Sequence, residues 1–349
     1  MRIKRLVVVS LILLLGLSGW KETKGEEAQK EVYVPKVIIE GKWGSGPGEF
    51  GIIPSEYEAP TGPKEFQIDL EENIYVLDAV NSRIQKFNSK GKLELIIEGE
   101  KGKLSGGQLI VDSKENLYLF SWYGIYRAKS RTTKLELVIS GEDLREKKHF
   151  NYDPGWGIGF SLDEFDNLYV TDDIGKKYKV KNLERFDIEL YGTSEKLRRG
   201  YISKAISRKS QKDEYTVNEN ENIDLLLIFN AKGEKVNEIL VEPPKNFKDN
   251  FSHYASHVSI IDNQNNIYAY ITGTLIDSST GYPFVVFKYI YKWAPNGNLL
   301  AQIDLDSAPK ILNFKQPYTS KPLINRDGKI YQLIWSQKKG LVVIKFEKK

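Results

Sequence analysis

The sequence predicts an all-β protein built from repeated strand units, and three observations support this prediction. Aromatic residues form 12% of the 349 residues, with 20 Tyr and 15 Phe, and these residue types favour strands over helices. A short motif ending in Tyr recurs at intervals of about 40 to 50 residues, which is the period of a propeller blade. The last repeat also ends one strand short, while an unpaired strand-like segment precedes the first repeat.

The repeated motif is Asp, three residues, Asn, an aliphatic residue and Tyr. Asp and Asn suit tight turns because their side chains bond nearby backbone and tolerate left-handed conformations. Four close copies and one near copy occur, at Asp69–Tyr75, Asp112–Tyr118, Asp163–Tyr169, Asp262–Tyr268 and Asn325–Tyr331. A sixth unit is inferred in the long gap before Asp262, where Tyr215 takes the Tyr position and "IFNAKG" from Ile228 resembles "KFNSKG" from Lys86.

Each unit contains four predicted strands. In the first unit a strand ends at the Asp, "NIYVLD" and "RIQKFN" form the next two, and "KLELIIEG" forms the fourth. A single sheet of this size cannot bury both faces, whereas stacked sheets closed into a ring can. The sequence therefore predicts a six-bladed β-propeller of four-stranded antiparallel blades over residues 32–349.

The two ends of this domain predict how the ring closes. The final unit offers three strands and then the chain stops at "LVVIKFEKK". The segment "VPKVIIEGKWG", from Val34, lies before any first strand and is free to supply the missing fourth strand. The last blade is therefore expected to be closed by the N-terminal strand.

The first unit resembles the NHL repeat of six-bladed β-propellers. It contains a Gly-x-Gly-Pro-Gly-x-Phe stretch before its first strand and an Asn-x-Arg-Ile-x-x-Phe stretch in its third. The matching residues are Gly44, Gly46, Pro47, Gly48, Phe50, Asp78, Asn81, Arg83, Ile84 and Phe87. Later units lose the Asn-x-Arg pair, so the resemblance implies the fold and does not imply an activity.

The N-terminus is predicted to be a separate export module. "MRIKR" is a basic region and "LVVVSLILLLGLSG" an apolar one, together typical of a signal peptide, with an uncleaved anchor as the alternative, over residues 1–19. Trp20 stands where a lipoprotein signal would carry its Cys. Residues 20–31 are expected to form a polar tether. These features predict an exported protein in the periplasm, cell envelope or extracellular space, with membrane contact only through an uncleaved segment.

Composition excludes several classes of chemistry. The formal net charge of +4 is small for this length, so no nucleic-acid partner is expected. The chain has 0 Cys, which excludes disulfides, thiolate nucleophiles and Cys-based metal sites. The stretch "GSGPG" from Gly44 lacks the Lys-Ser/Thr of a phosphate-binding loop and is interpreted as a turn between blades.

The three histidines are candidate metal ligands. His149, His253 and His257 precede first strands of their units, so all three are expected on one face of the ring. Within the resembled family the amidating lyases hold a metal with His on this architecture. No cofactor is expected here, and zinc or calcium remains the alternative, with a metal-dependent lyase or lactonase as the corresponding function.

The favoured hypothesis is a non-enzymatic binding module, with a structural envelope-docking module as a further alternative. Loops between second and third strands and loops between blades share one face of a propeller, and aromatic residues on a concave face are typical of binding sites. The ligand is expected to be a protein, peptide or glycan. The candidate ligand-binding residues are Arg83, Trp122, Tyr123, Trp156, Tyr282 and Trp335.

Overall fold

A computed structural model describes most of the chain. The described residues are 30–55, 59–146, 159–163, 165–172, 176–192, 216–219, 225–229, 235–242, 244, 253–276, 283–315 and 317–349. Within them, antiparallel strands form separate sheets, and all but one of these sheets consist of consecutive strands. This is the blade arrangement of a β-propeller, so the predicted all-β propeller fold is confirmed.

Blades 1 to 3 each contain four antiparallel strands in chain order. Blade 1 consists of β2 (Phe66–Ile68), β3 (Ile74–Asp78), β4 (Arg83–Phe87) and β5 (Leu93–Glu98). Blade 2 consists of β6 (Gln108–Val111), β7 (Leu117–Ser121), β8 (Gly124–Ala128) and β9 (Glu136–Ser140). Blade 3 consists of β10 (Gly159–Leu162), β11 (Leu168–Thr171), β12 (Lys177–Asn182) and β13 (Asp187–Gly192).

The predicted number of blades is wrong. Between blades 3 and 4 the described residues form only a three-stranded sheet, of β14 (Thr216–Glu219), β15 (Leu225–Phe229) and β16 (Lys235–Leu240). In the parts of the chain that the structure describes, five sheets have the four or more strands of a complete blade, instead of the six expected. The inferred sixth unit rested on a Tyr and a turn echo without the Asp and Asn of the motif. That weak match corresponds to the incomplete sheet.

Blade 4 is larger than the others. It consists of β17 (His253–Ile261), β18 (Ile267–Ile276), β19 (Pro283–Trp293) and β20 (Leu299–Asp304). Strands β18 and β19 have 10 and 11 residues, whereas β3 and β4 have 5 each. The β18–β19 hairpin therefore extends well past the end of a standard blade.

Blade 5 joins the two ends of the domain, as the sequence predicts. It contains β1 (Tyr33–Gly41), β21 (Tyr318–Thr319), β22 (Leu323–Ile324), β23 (Ile330–Ser336) and β24 (Gly340–Lys348). Its innermost strand is split into β21 and β22, which both pair with β23. Strand β1 pairs antiparallel with β24, from Tyr33 opposite Lys348 to Gly41 opposite Leu341. The prediction that an N-terminal strand closes the last blade is confirmed.

The hydrophobic core lies between neighbouring sheets. One cluster joins blades 1 and 2 and includes Leu77 and Leu119. Equivalent clusters join blades 2 and 3, the three-stranded sheet and blade 4, and blades 4 and 5. A further cluster joins blade 5 to blade 1, with Val343 and Val76 both fully buried. Packing therefore returns from the last blade to the first.

The repeated motif builds the turn between the first and second strands. In blade 1 one carboxylate oxygen of Asp69 accepts the backbone N–H groups of Glu71 and Asn73, both at 2.9 Å. The other accepts the Asn73 amide at 2.8 Å and the Tyr75 hydroxyl at 3.0 Å. The same network is centred on Asp112, Asp163 and Asp262. The motif is thus a structural element of each turn.

Among the described residues, two short helices lie between blades. Helix α1 (Gly141–Glu146) follows β9, and helix α2 (Ser307–Ile311) follows β20. No helix in the described part of the chain is long and apolar enough to cross a membrane. The predicted export segment and most of the tether lie outside the described residues.

Candidate functional site

Successive connections in each blade alternate between two faces of the ring. The loops between second and third strands and the links between blades share one face, here called the loop face. The Asp–Asn–Tyr turns occupy the opposite face, here called the turn face. All the candidate residues predicted from the sequence are expected on the loop face.

Two predicted residues form an exposed aromatic pair on the loop face. Trp122 and Tyr123 occupy the turn between β7 and β8 of blade 2, where their exposed fractions are 52% and 40%. The Lys103 ammonium lies 4.4 Å from the centroid of the Tyr123 ring, within cation–π distance. The pair therefore offers aromatic surface beside a positive charge.

Hydrogen bonds fix the backbone of this turn. The Ser121 hydroxyl donates to the Lys103 carbonyl at 2.9 Å and accepts the Tyr123 N–H at 3.1 Å. The Tyr123 carbonyl accepts the N–H of Gly141, at the start of α1, at 2.8 Å. The link before β6, the turn itself and α1 are thereby tied together.

Gly106 shapes the seat of the Trp122 ring. Its φ of +69° is left-handed, and a Cβ at this position would lie 2.1 Å from the indole Nε1 of Trp122. Glycine is therefore needed both for its conformation and for its lack of a side chain. The indole packs directly on the backbone of Gly106, which limits its freedom.

Arg83 is buried, in contrast to its expected exposure on a loop. It begins β4 and is 5% exposed. Its Nε donates to Asp78 at 3.0 Å, and its terminal nitrogens donate to the carbonyls of Ser45, Gly46 and Glu49 at 2.7–2.8 Å. This geometry favours a structural role, in which Arg83 holds the Gly-rich link against blade 1.

Trp335 is also buried, at 1% exposed. It lies within β23, stacked on Tyr318 with ring centroids 4.3 Å apart and in edge contact with Trp43 at 5.6 Å. A Cβ on Gly62 would come within 3.0 Å of the indole ring. Trp335 therefore fills space between blades 5 and 1.

The remaining predicted residues are described partly or not at all. Trp156, Tyr282 and His149 lie outside the described residues. His253 and His257 lie in β17, opposite Thr274 and Tyr270, so they belong to an extended strand and not to a loop. Their backbones are about 13 Å apart at the usual strand rise.

The described residues contain no group of three or more His, Cys, Asp or Glu side chains placed to hold a metal. The zinc or calcium alternative therefore stays a prediction from the sequence.

Glu65 is a candidate residue that sequence reasoning missed. It directly precedes β2, the innermost strand of blade 1, and its carboxylate accepts the N–H of Leu109 on β6 at 3.4 Å. Burial raises the pKa of Glu65 to about 7, against the opposing effects of the Leu109 N–H, the Gln67 side chain and the Lys321 charge. Its only signal in the sequence is its position four residues before the motif Asp, which Gln108 shares in blade 2.

A groove of about 390 Å³ separates blades 1 and 2 near the turn face. Its lining includes Tyr75, Lys86 and Glu115. The Lys86 ammonium pairs with Glu115 at 3.2 Å and lies 5.4 Å from the Tyr75 ring centroid. These contacts link the two blades and pair the Lys86 and Glu115 charges within the protein.

A second groove, of about 560 Å³, lies between β16 and β19–β20. The hydroxyl of Tyr291 in its lining is buried and has no hydrogen-bond partner among the described residues. Burial is the main cause that raises the pKa of Tyr291 far above its ordinary value. Tyr291 and Trp293 are only 2% and 3% exposed, so neither presents a ring face on which a ligand could stack.

Comparisons with known proteins add the likeness of the fold alone. The chain is similar to a streptogramin B lyase, with 9% identity over 93% of this chain and 100% of that chain and a TM-score of 0.43. It is similar to a luciferin-regenerating enzyme, with 10% identity over 90% and 95% of the two chains and a TM-score of 0.42. It is also similar to regucalcin from Agrobacterium tumefaciens, a calcium-binding protein. The identity is 12% over 82% of this chain and 91% of that chain, and the TM-score is 0.38.

These values carry no argument about activity. No protein-family model and no curated protein matches the chain. The β-propeller part of the resemblance inferred from the sequence is confirmed by the blades themselves, whereas membership of the NHL family stays a prediction.

Proposed function

We propose that the protein is an exported, non-enzymatic binding module that takes a protein, peptide or glycan ligand on its loop face. The observation that carries the proposal is the Trp122–Tyr123 pair, which is exposed on a turn fixed by hydrogen bonds. Large aromatic side chains that stay exposed on a folded surface are common at the centres of binding sites.

The fixed backbone strengthens this interpretation. Immobilising a flexible loop on binding costs free energy, and a preformed contact surface avoids much of that cost. The three hydrogen bonds of Ser121 and Tyr123 and the seat on Gly106 hold the pair before any ligand arrives. Lys103 adds a donor that can bond a carbonyl, carboxylate or sugar oxygen.

Export is the second part of the proposal and comes from residues 1–19. It predicts that the protein is recovered from the envelope or medium of its native host. N-terminal sequencing of that protein would show whether the apolar segment is removed, and recovery from the cytoplasm alone would contradict export.

The binding proposal is tested by ligand screening followed by matched variants. The purified protein is screened on peptide and glycan arrays, and each hit is measured by titration calorimetry against Trp122→Ala and Tyr123→Ala. A central aromatic contact costs about 2 kcal/mol or more when truncated, so affinity should fall by roughly 30-fold.

Phe165→Ala is the matched control, because Phe165 is 75% exposed and lies on the turn face of blade 3. It should leave affinity unchanged. Equal losses in all three variants, or full affinity without Trp122 and Tyr123, would place the site elsewhere.

A further inference from the structure

Glu65 and Gln108 occupy the same position in blades 1 and 2. The carbonyl of Glu65 accepts the N–H of Leu77, which lies two residues after the motif Tyr of blade 1. Gln108 stands opposite Phe120, which lies two residues after the motif Tyr of blade 2. Both residues therefore stand at the loop-face end of an innermost strand, beside the next blade.

Gln108 shows what this position does. Its side-chain amide donates to the carbonyl of Phe160 at 3.1 Å, and its side-chain oxygen accepts the N–H of Phe160 at 2.7 Å. Phe160 lies on β10, the innermost strand of blade 3. The Gln108 side chain thus bonds both the N–H and the carbonyl of Phe160. These two groups point away from the sheet of blade 3, as the backbone groups of alternate residues in an edge strand do.

Glu65 makes only half of this contact when it is ionised. Glu65 reaches Leu109, which occupies the same position in blade 2 as Phe160 does in blade 3. Leu109 pairs with Leu119 of β7, and Phe160 pairs with Val170 of β11. Leu109 N–H donates to the carboxylate at 3.4 Å. The carbonyl of Leu109 points away from its own sheet in the same direction as its N–H, towards Glu65. An ionised carboxylate has no proton to donate to this carbonyl.

The surroundings of Glu65 favour its neutral form on balance. Burial raises the pKa of Glu65 to about 7, while the Leu109 N–H, the Gln67 side chain on its own strand and the positive charge of Lys321 in blade 5 act in the opposite direction. A protonated carboxyl carries one donor and one acceptor, which is the pair that the Gln108 amide supplies.

We propose that Glu65 is a proton-operated clasp between blades 1 and 2. In its protonated form the carboxyl bonds both the N–H and the carbonyl of Leu109, as Gln108 bonds Phe160. In its ionised form the carboxylate keeps, of these two contacts, only the one with the Leu109 N–H. The inner edge of the interface between blades 1 and 2 therefore loosens as pH rises through about 7.

The protein carries its own control for this clasp, because Gln108 does not titrate. Amide hydrogen exchange, corrected for intrinsic rates, should show protection of Leu109 that falls severalfold between pH 5.5 and pH 8.5, values chosen to bracket the titration. Protection of Phe160 should stay constant over the same range. Equal behaviour of the two amides would overturn the proposal.

Two variants make the test specific to the carboxyl. In Glu65→Gln, the Leu109 amide should show the pH-independent protection of the Phe160 amide. The melting temperature of this variant should exceed that of the wild type by a margin that grows from about pH 4.5 to about pH 7. Gln108→Glu should transfer the pH dependence to Phe160. A Leu109 response that survives in Glu65→Gln, or an unchanged Phe160 in Gln108→Glu, would also overturn it.

Discussion

Arg83 shows how a charged residue in a predicted binding loop can serve the fold. Its four hydrogen bonds end on Asp78 and on three carbonyls of the Gly-rich link. The planar guanidinium fork suits several acceptors at once, which a Lys ammonium cannot match. The NHL-like residues of blade 1 are therefore explained by packing between the link and the blade.

Arg83→Ala should destabilise the protein by about 3–5 kcal/mol, because it leaves the buried carboxylate of Asp78 without its positively charged partner. Chemical denaturation measures this loss. Lys36→Ala is the control, since Lys36 pairs with Glu347 at 3.0 Å with side chains that are 58% and 40% exposed. Its expected cost is about 0–1 kcal/mol, and equal costs for both variants would contradict the structural role of Arg83.

Sequence reasoning could identify the residues of the turns but not those of the interior. The Asp–Asn–Tyr motif is local, because all its hydrogen bonds fall within seven consecutive residues of the chain. Whether Arg83 and Trp335 face solvent depends on links and blades that are distant in sequence. Glu65 was missed for the same reason, since its partner Leu109 belongs to the next blade.

At the scale of elements, strand β1 acts as a strap. Its pairing with β24 brings residues from the two ends of the domain into one sheet. Ile39 is 3% exposed and belongs to the core between blades 5 and 1. Glu31, just before the strap, pairs with Lys292 of blade 4 and with Lys348 of β24, both at 2.9 Å. The strap thus contacts two blades as well as its own sheet.

Ile39→Ala should cost about 2–5 kcal/mol of the free energy of unfolding, as buried aliphatic truncations do. Val37→Ala, on the same strand but at a position 37% exposed, should cost roughly 0.5 kcal/mol or less. Thermal or chemical unfolding of both variants checks the difference. If Ile39→Ala were as mild as Val37→Ala, the strap would contribute little to closing the ring.

The strap was predictable because a missing strand and a spare strand are visible together in the sequence. The incomplete sheet was not predictable in the same way. Its unit lacks the Asp and Asn that mark the turns elsewhere, so only the spacing, a Tyr and a similar turn predict a complete blade there. Strand β14 has no fourth strand beside it among the described residues.

At the scale of the whole molecule, Glu72 joins the last blade to the first. Its carboxylate accepts the Tyr331 hydroxyl at 2.6 Å and the Lys345 ammonium at 3.0 Å, and it also pairs with Lys329. Burial alone would raise the pKa of Glu72, but these three hydrogen bonds outweigh it and lower the pKa to about 2. Hydrogen bonds lower the pKa of Glu31 to about 2 in the same way.

The lowered pKa values predict an acid-sensitive closure. The unfolded chain binds protons at these groups near pH 4.5 and the folded chain near pH 2. Their stabilisation is therefore complete above about pH 4.5 and is lost as pH falls towards 2. Glu65 acts in the opposite sense, because its raised pKa reduces stability as pH rises from about 4.5 to about 7.

Glu72→Gln should lower the melting temperature at pH 6 and flatten its decline between pH 4.5 and pH 2.5, as measured by scanning calorimetry at closely spaced values. Glu71→Gln, in the same turn but exposed, should change neither. An unaltered acid slope in Glu72→Gln would assign the acid sensitivity to other carboxylates.

The long hairpin of blade 4 breaks the rotational equivalence that similar sheets around a ring would otherwise have. Counted from the motif Tyr, β18 continues for about five residues, or about 16 Å, beyond the point at which β3 ends. A partner that binds across the loop face would therefore contact a longer hairpin at blade 4 than at blade 1. Its contacts would differ from one rotational setting on the ring to another, which favours a single setting.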